Sequence, residues 1–99
     1  MNLNDVVRLH RLGKPAMLYP GLAHAFGFKE GVFLTYLLVN LSAKPGAWLC
    51  KSVKTIERET ALTYKEQRRI RKSLVRQRVL EEKHDRKAHK VYFRIRETP

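Results

Sequence analysis

Lys65, Arg68, Arg69, Lys72 and Arg76 place five cations within twelve residues, in a stretch that also holds Gln67, Ile70 and Leu74. On a helix each residue advances roughly 100°. With Gln67 at zero, Ile70 and Leu74 fall within about 60° of it and form an inward stripe, whereas all five cations fall between about 100° and 200°. An ordinary solvated helix face mixes signs, because a Glu one turn from a Lys or Arg relieves repulsion. A face of like charge costs helix stability instead, and a polyanion is the physical reason to carry it. Tyr64, at the start of the same stretch, joins these cations as a candidate contact.

Other chemistry finds no footing. The histidines are His10, His24, His84 and His89, and none pairs with a cysteine or carboxylate at metal-ligand spacing. Cys50 is the single cysteine, has no neighbour that suggests a nucleophile, and reads as a small buried apolar residue. No glycine loop suited to cradling a phosphate occurs. The expectation is a binding protein without enzymatic activity, cofactor or metal.

The chain as a whole repeats the signal. Its 99 residues suit one domain with one core, and 43% hydrophobic with 30% charged residues is a globular composition. The net charge is +12, and it is uneven: residues 1–50 hold 5 Lys+Arg against 2 Asp+Glu, residues 51–99 hold 16 against 7. Nucleic acid leads the candidate partners, an anionic membrane surface comes second, and the contact surface belongs to the second half. A lone cysteine and a polar start at Met1–Asp5 point to a reducing cytoplasm without a signal peptide. The apolar run 32–41 is too short to cross a bilayer and reads as a core helix.

Several elements must position the basic stretch. Residues 22–26 suit a short helix stopped by Gly27 in a left-handed cap. Residues 30–42 suit a longer helix, apolar on most sides and therefore central, or shared with a second copy in a homodimer. Trp48, Leu49 and Cys50 have strand character. Ser52 is placed to cap a helix over 53–60 that buries Val53 and Ile56, with Glu57 and Glu59 free to pair with Lys54, Arg58 or the basic helix. Thr63 and Glu66 form a capping box in which the hydroxyl takes the Glu66 amide and the carboxylate returns to the Thr63 amide. That box opens a helix running to about Gln77. The remainder reads as a β-hairpin: strand 80–83, turn 84–89, strand 90–96. Alternation puts Val91, Phe93 and Ile95 on one face, with Tyr92, Arg94 and Arg96 on the other. The hairpin tip is basic through Arg86, Lys87 and Lys90.

The short helix, tight turn and capped helix resemble a helix-turn-helix unit, with Ile56, Leu62, Ile70 and Leu74 at its buried positions. Together with the hairpin they resemble a winged helix. Leu22, Ala23, Gly27, Glu30, Leu34, Leu37 and Trp48 stand in an order similar to the N-terminal domains of phage and plasmid replication proteins and related small regulators. This resemblance covers residues 20–95. It implies an α+β winged helix-turn-helix fold, a three-helix core plus a C-terminal β-hairpin wing, spanning 20–99 after an N-terminal arm at 1–19.

The resemblance also implies duplex DNA as partner. Tyr64, Lys65, Arg68, Arg69, Lys72 and Arg76 would lie in the major groove, and Arg86, Lys87 and Lys90 on a wing along the backbone. A role in transcription regulation or as a replication accessory of a mobile element follows. Two other readings stand beside it: a single-strand binder using Tyr92, and a protein-interaction domain docking an acidic partner. Three residues depart from the pattern. Gly31 sits early in the long helix, and Ala61 and Arg78 occupy places where such families often have glycine, so a positive φ at Arg78 would strain it.

Overall fold

The computed structural model describes residues 17–41, 47–88 and 90–96. Residues 1–16 of the arm expected at 1–19 lie outside them, as do residues 42–46, 89 and 97–99. The described chain is α+β, with four helices and one three-stranded antiparallel sheet. In order they are α1 (Pro20–Phe26), α2 (Phe28–Leu41), β1 (Leu49–Cys50), α3 (Val53–Thr60), α4 (Tyr64–Arg76), β2 (Leu80–Asp85) and β3 (Lys90–Ile95). The strand order β1-β3-β2 puts the last strand in the middle.

Helix α1 starts two residues earlier than expected because Pro20 supplies a preset first-turn φ and needs no amide partner. Gly27 then separates α1 from α2 at φ 111°, ψ 159°. This is not the left-handed cap expected of it but an extended positive-φ region that is essentially confined to glycine. The chain re-enters a helix at once, so α2 begins at Phe28 rather than Glu30.

Gly31, which the pattern left unexplained, has a packing reason. A Cβ there would sit 2.8 Å from both Cα and N of Ala23, so only glycine lets the backbones of α1 and α2 come this close. Helix α2 is central: it packs against α1, α3, α4, β1 and β3. Phe33, Leu34 and Leu37 are buried on it, and Leu38 is exposed. Thr35 interrupts its apolar run because the buried hydroxyl accepts the Tyr19 amide at 3.0 Å, which anchors the entry to α1.

Ile56, Leu62, Ile70, Leu74, Leu80 and Phe93 complete one core, and Phe33 meets Phe93 edge to face at 5.8 Å between centroids. Ser52 caps α3 through the Thr55 amide at 3.1 Å. Val53 is only half-buried, and Ile56 carries the burial on this helix. Glu59 accepts a 2.8 Å hydrogen bond from the Tyr36 hydroxyl, so it ties α3 to α2, and it has no ion pair among the described residues. Burial and this carboxylate both push the Tyr36 phenol well above its ordinary range.

The turn from α3 to α4 passes through Ala61 at φ 65°, ψ 10°, a left-handed position occupied by a residue with a Cβ. Gln67 fixes the angle that follows. It is 1% exposed, and its Nε2 donates to the carbonyls of Leu62 at 2.8 Å and Val53 at 3.1 Å. One amide thus ties the basic helix to the start of α3 and to the turn.

Helix α4 ends in a complete Schellman motif: the Val79 amide bonds the Leu74 carbonyl and the Arg78 amide bonds the Val75 carbonyl, both at 3.0 Å. Its left-handed residue is Arg78, at φ 62°. The hairpin that follows is longer than expected, because β2 continues through His84 and Asp85 to pair with Val91 and Lys90. The Asp85 carboxylate then accepts the Ala88 amide at 3.2 Å and closes the tip.

Two substitutions are expected to move stability in opposite directions. Gly31→Ala forces the Ala23 backbone away and should cost about 1–3 kcal/mol, as overpacking of a tight contact does. Arg78→Gly removes left-handed strain and should add roughly 1 kcal/mol. Urea unfolding of both variants against the parent chain checks the signs.

Candidate functional site

Helix α4 exists because two things agree. Ile70 and Leu74, both fully buried, would each contribute roughly 1.5–3 kcal/mol of hydrophobic stabilisation. The capping box is formed as expected, with the Glu66 amide donating to the Thr63 hydroxyl at 3.2 Å and the Thr63 amide donating to the Glu66 carboxylate at 3.1 Å. The inward stripe Gln67, Ile70 and Leu74 is therefore seated, and the opposite face is turned outward.

Lys65, Arg68, Arg69, Lys72 and Arg76 are all exposed on that face, and Tyr64 is 52% exposed at its start. They are not equivalent. The Arg69 guanidinium lies 3.1 Å from the Glu30 carboxylate of α2. Lys65, Arg68, Lys72 and Arg76 have no ion pair among the described residues. The carboxylate that reaches Arg69 comes from the neighbouring helix α2 and not from α4 itself.

Acids from elsewhere in the fold mark the edges of α4. Lys29 of α2 pairs with Glu66, so two ion pairs join the first turn of α2 to the first two turns of α4. On the other edge Arg71 points away from the cationic face. Its Nε is 3.5 Å from the Glu82 carboxylate of β2, within ion-pair distance but without hydrogen-bond geometry, and its guanidinium lies 5.9 Å from the Phe93 ring. The wheel places Arg71 at about 40°, beside the inward stripe. A cation in that position signals a buried partner, and sequence reasoning passed it over.

Arg86, Lys87 and Lys90 are exposed at the hairpin tip, where Asp85 is the nearest acid in sequence. His89 lies outside the described residues. Among the described residues, no group of three His, Cys, Asp or Glu side chains is arranged to hold a metal ion. No helix among them is long and apolar enough to cross a membrane.

The sheet has an outer face that sequence reasoning only half found. Phe93 is buried under the helices, so its neighbours Tyr92 and Arg94 point the other way. Trp48 is 36% exposed beside them, with the Arg94 guanidinium 4.4 Å and the Lys83 ammonium 5.9 Å from its ring centroid. Glu81 receives Arg94 at 2.5 Å. Cys50, opposite Tyr92, is exposed and not the buried residue expected, because its strand position alternates with half-buried Leu49.

Glu66 is held down to about 2, first by the Lys29 ammonium and then by the Thr63 amide and hydroxyl. A carboxyl lowered in the folded state gives stability that is complete above its unfolded value near 4.5 and vanishes as pH falls toward about 2. The stability difference between the parent chain and Glu66→Gln should therefore be constant above pH about 5 and shrink steadily below it. Thr63→Ala should cost about 0.5–2 kcal/mol at neutral pH. Thermal melts across a pH series check both.

Comparison with family models, with curated proteins and with solved structures finds no match to this chain.

Proposed function

We propose that this chain is a winged-helix protein that binds duplex DNA, with α4 in the major groove and the β2–β3 hairpin along the flanking backbone. The observation that carries the reading is the row Lys65, Arg68, Lys72 and Arg76, exposed on one face of a capped helix and unpaired among the described residues. Acids of α2 and β2 pair with Arg69 and Arg71 beside that row, and the row itself has no ion pair among the described residues. A polyanion with phosphates spaced along a rod supplies the missing counter-charge. The element order α2-β1-α3-α4-β2-β3, with β1 joined to the hairpin through β3, is compatible with a winged helix. The α3–α4 pair presents a short helix, a left-handed turn and a capped second helix, an order compatible with a helix-turn-helix.

In this reading Arg68, Lys72 and Arg76 take phosphates, and Arg86, Lys87 and Lys90 extend the grip from the hairpin tip. The chain acts by binding, without catalysis, as a transcription regulator or a replication accessory of a mobile element. A second reading has one observation of its own. Trp48 and Tyr92 lie with Lys83 and Arg94 on the sheet's outer face, a combination that suits stacking of single-stranded bases.

The triple change Arg68→Ala, Lys72→Ala, Arg76→Ala should abolish duplex binding in a mobility shift while circular dichroism stays unchanged. Single replacements should each lower the slope of log affinity against log salt by about one unit. Full affinity in the folded triple variant removes the reading.

The hairpin makes a separate expectation. Arg86→Ala, Lys87→Ala, Lys90→Ala together should weaken all duplexes about equally, since phosphates carry no sequence information. Trp48→Ala or Tyr92→Ala should leave duplex affinity nearly intact. A loss of roughly 1–3 kcal/mol on single strands in those two variants, with single strands bound more tightly than duplex, would select the stacking reading instead.

A further inference from the structure

Arg69 differs from every other cation on its face. Its side chain is 59% exposed, and its Nη2 lies at ion-pair distance, 3.1 Å, from the Glu30 carboxylate, whose side chain is only 12% exposed. The Glu30 carboxylate in turn lies over Gly27, where any Cβ would meet it. Gly27 thus provides both the turn between α1 and α2 and the room for this acid.

Two consequences follow. A guanidinium held at one nitrogen and presented to solvent with the rest gives up less rotamer freedom on making a further contact. The charge around it is also locally balanced. A phosphate approaching Arg69 would meet the Glu30 carboxylate as well as the guanidinium, whereas a base edge carries no net charge to be repelled. Lys65 lies one turn before Arg69 and Lys72 one turn after it on the same face, both without an ion pair among the described residues. The phosphate sites therefore flank a site better suited to a neutral acceptor edge.

We propose that Arg69, held by Glu30, is the base-reading side chain of α4 and takes the paired O6 and N7 acceptors of a guanine in the major groove. This rests on the duplex-binding reading and gives it a sequence preference. The neighbouring cations supply affinity, and Arg69 supplies discrimination.

The test enriches preferred duplexes from a randomised pool with the parent chain, then compares affinity for the enriched and a scrambled duplex at several salt concentrations. The enriched site should contain a required guanine. Arg69→Ala should lower the ratio of the two affinities roughly ten- to hundredfold, with a nearly unchanged salt slope. Arg69→Lys keeps the charge but loses the paired donors, and should lower the ratio just as far. Arg68→Ala should leave the ratio in place and reduce the slope by about one unit. Glu30→Gln should lower the ratio while affinity for the scrambled duplex rises.

If Arg69→Ala weakens both duplexes equally and flattens the slope, Arg69 is one more phosphate contact and the proposal fails. It fails equally if the parent enriches no sequence, or if Glu30→Gln raises both affinities alike, which would make Glu30 a mere competitor of phosphate. In each of these cases duplex binding itself still stands. A parent chain that binds no duplex overturns the underlying reading, and the base contact with it.

Discussion

Helix α4 has to keep six cations and one acid on a single helix and still fold. Repulsion among like charges one turn apart works against the helix by a few tenths of a kcal/mol per pair. Burial of Ile70 and Leu74 outweighs that sum, and the capping box fixes where the helix begins. Other elements supply counter-charges. Glu30 comes from α2 and Glu82 from β2, each pairing with a cation at one edge of α4, while Glu66 is taken by Lys29. Much of the remaining architecture serves this helix. Gly31 brings α1 onto α2, Gly27 gives Glu30 its place, and Gln67 fixes α4 against α3.

Among the described residues, the two positive-φ residues with side chains bracket the same helix. Ala61 turns the chain into α4 and Arg78 turns it out. Glycine would serve both positions at lower conformational cost. At Ala61 the side chain is small and exposed, and the Ala61 amide still bonds the Glu57 carbonyl at 2.7 Å. At Arg78 the side chain is exposed and cationic, at the carbonyl end of a helix where positive charge is favoured by about 0.3–1 kcal/mol. That interaction offsets part of the strain, and it also extends the cationic character of α4 past its last turn.

Local signals made most of this legible. The capping box at Thr63 and Glu66, the stripe Gln67, Ile70, Leu74 and the outward cations follow from a 3.6-residue period and one polar motif, and each is formed. Strand alternation puts Phe93 and Arg94 on opposite faces, and the helices cover the Phe93 face. What escaped depends on contacts between residues distant in sequence. Glu30 and Arg69 are thirty-nine positions apart, and nothing near either of them names the other. The role of Gly31 depends on Ala23 in a different helix, and the Cys50 exposure depends on which face of a two-residue strand the core covers. The start of α2 was misplaced because Gly27 looks like an ordinary helix stop, whereas here it joins two helices directly.

The distribution of paired and unpaired charge is the last constraint, and it separates stability from use. If the basic residues served solubility alone, the fold would gain by pairing those it can reach, and acids within reach exist. Glu30, Glu82 and Glu81 take Arg69, Arg71 and Arg94, all of which lie at the edges of the cationic face or beyond it. Lys65, Lys72 and Arg76 run along the middle of that face with Arg68 at the margin opposite Arg69, and no acid of α2 or β2 reaches these four. The fold therefore leaves a row of unneutralised charge on the surface that this helix presents most fully to solvent. A partner that neutralises this row would relieve repulsion that folding leaves in place. Binding would then stabilise the folded chain, and high salt would weaken the binding because it screens the same repulsion and the same attraction.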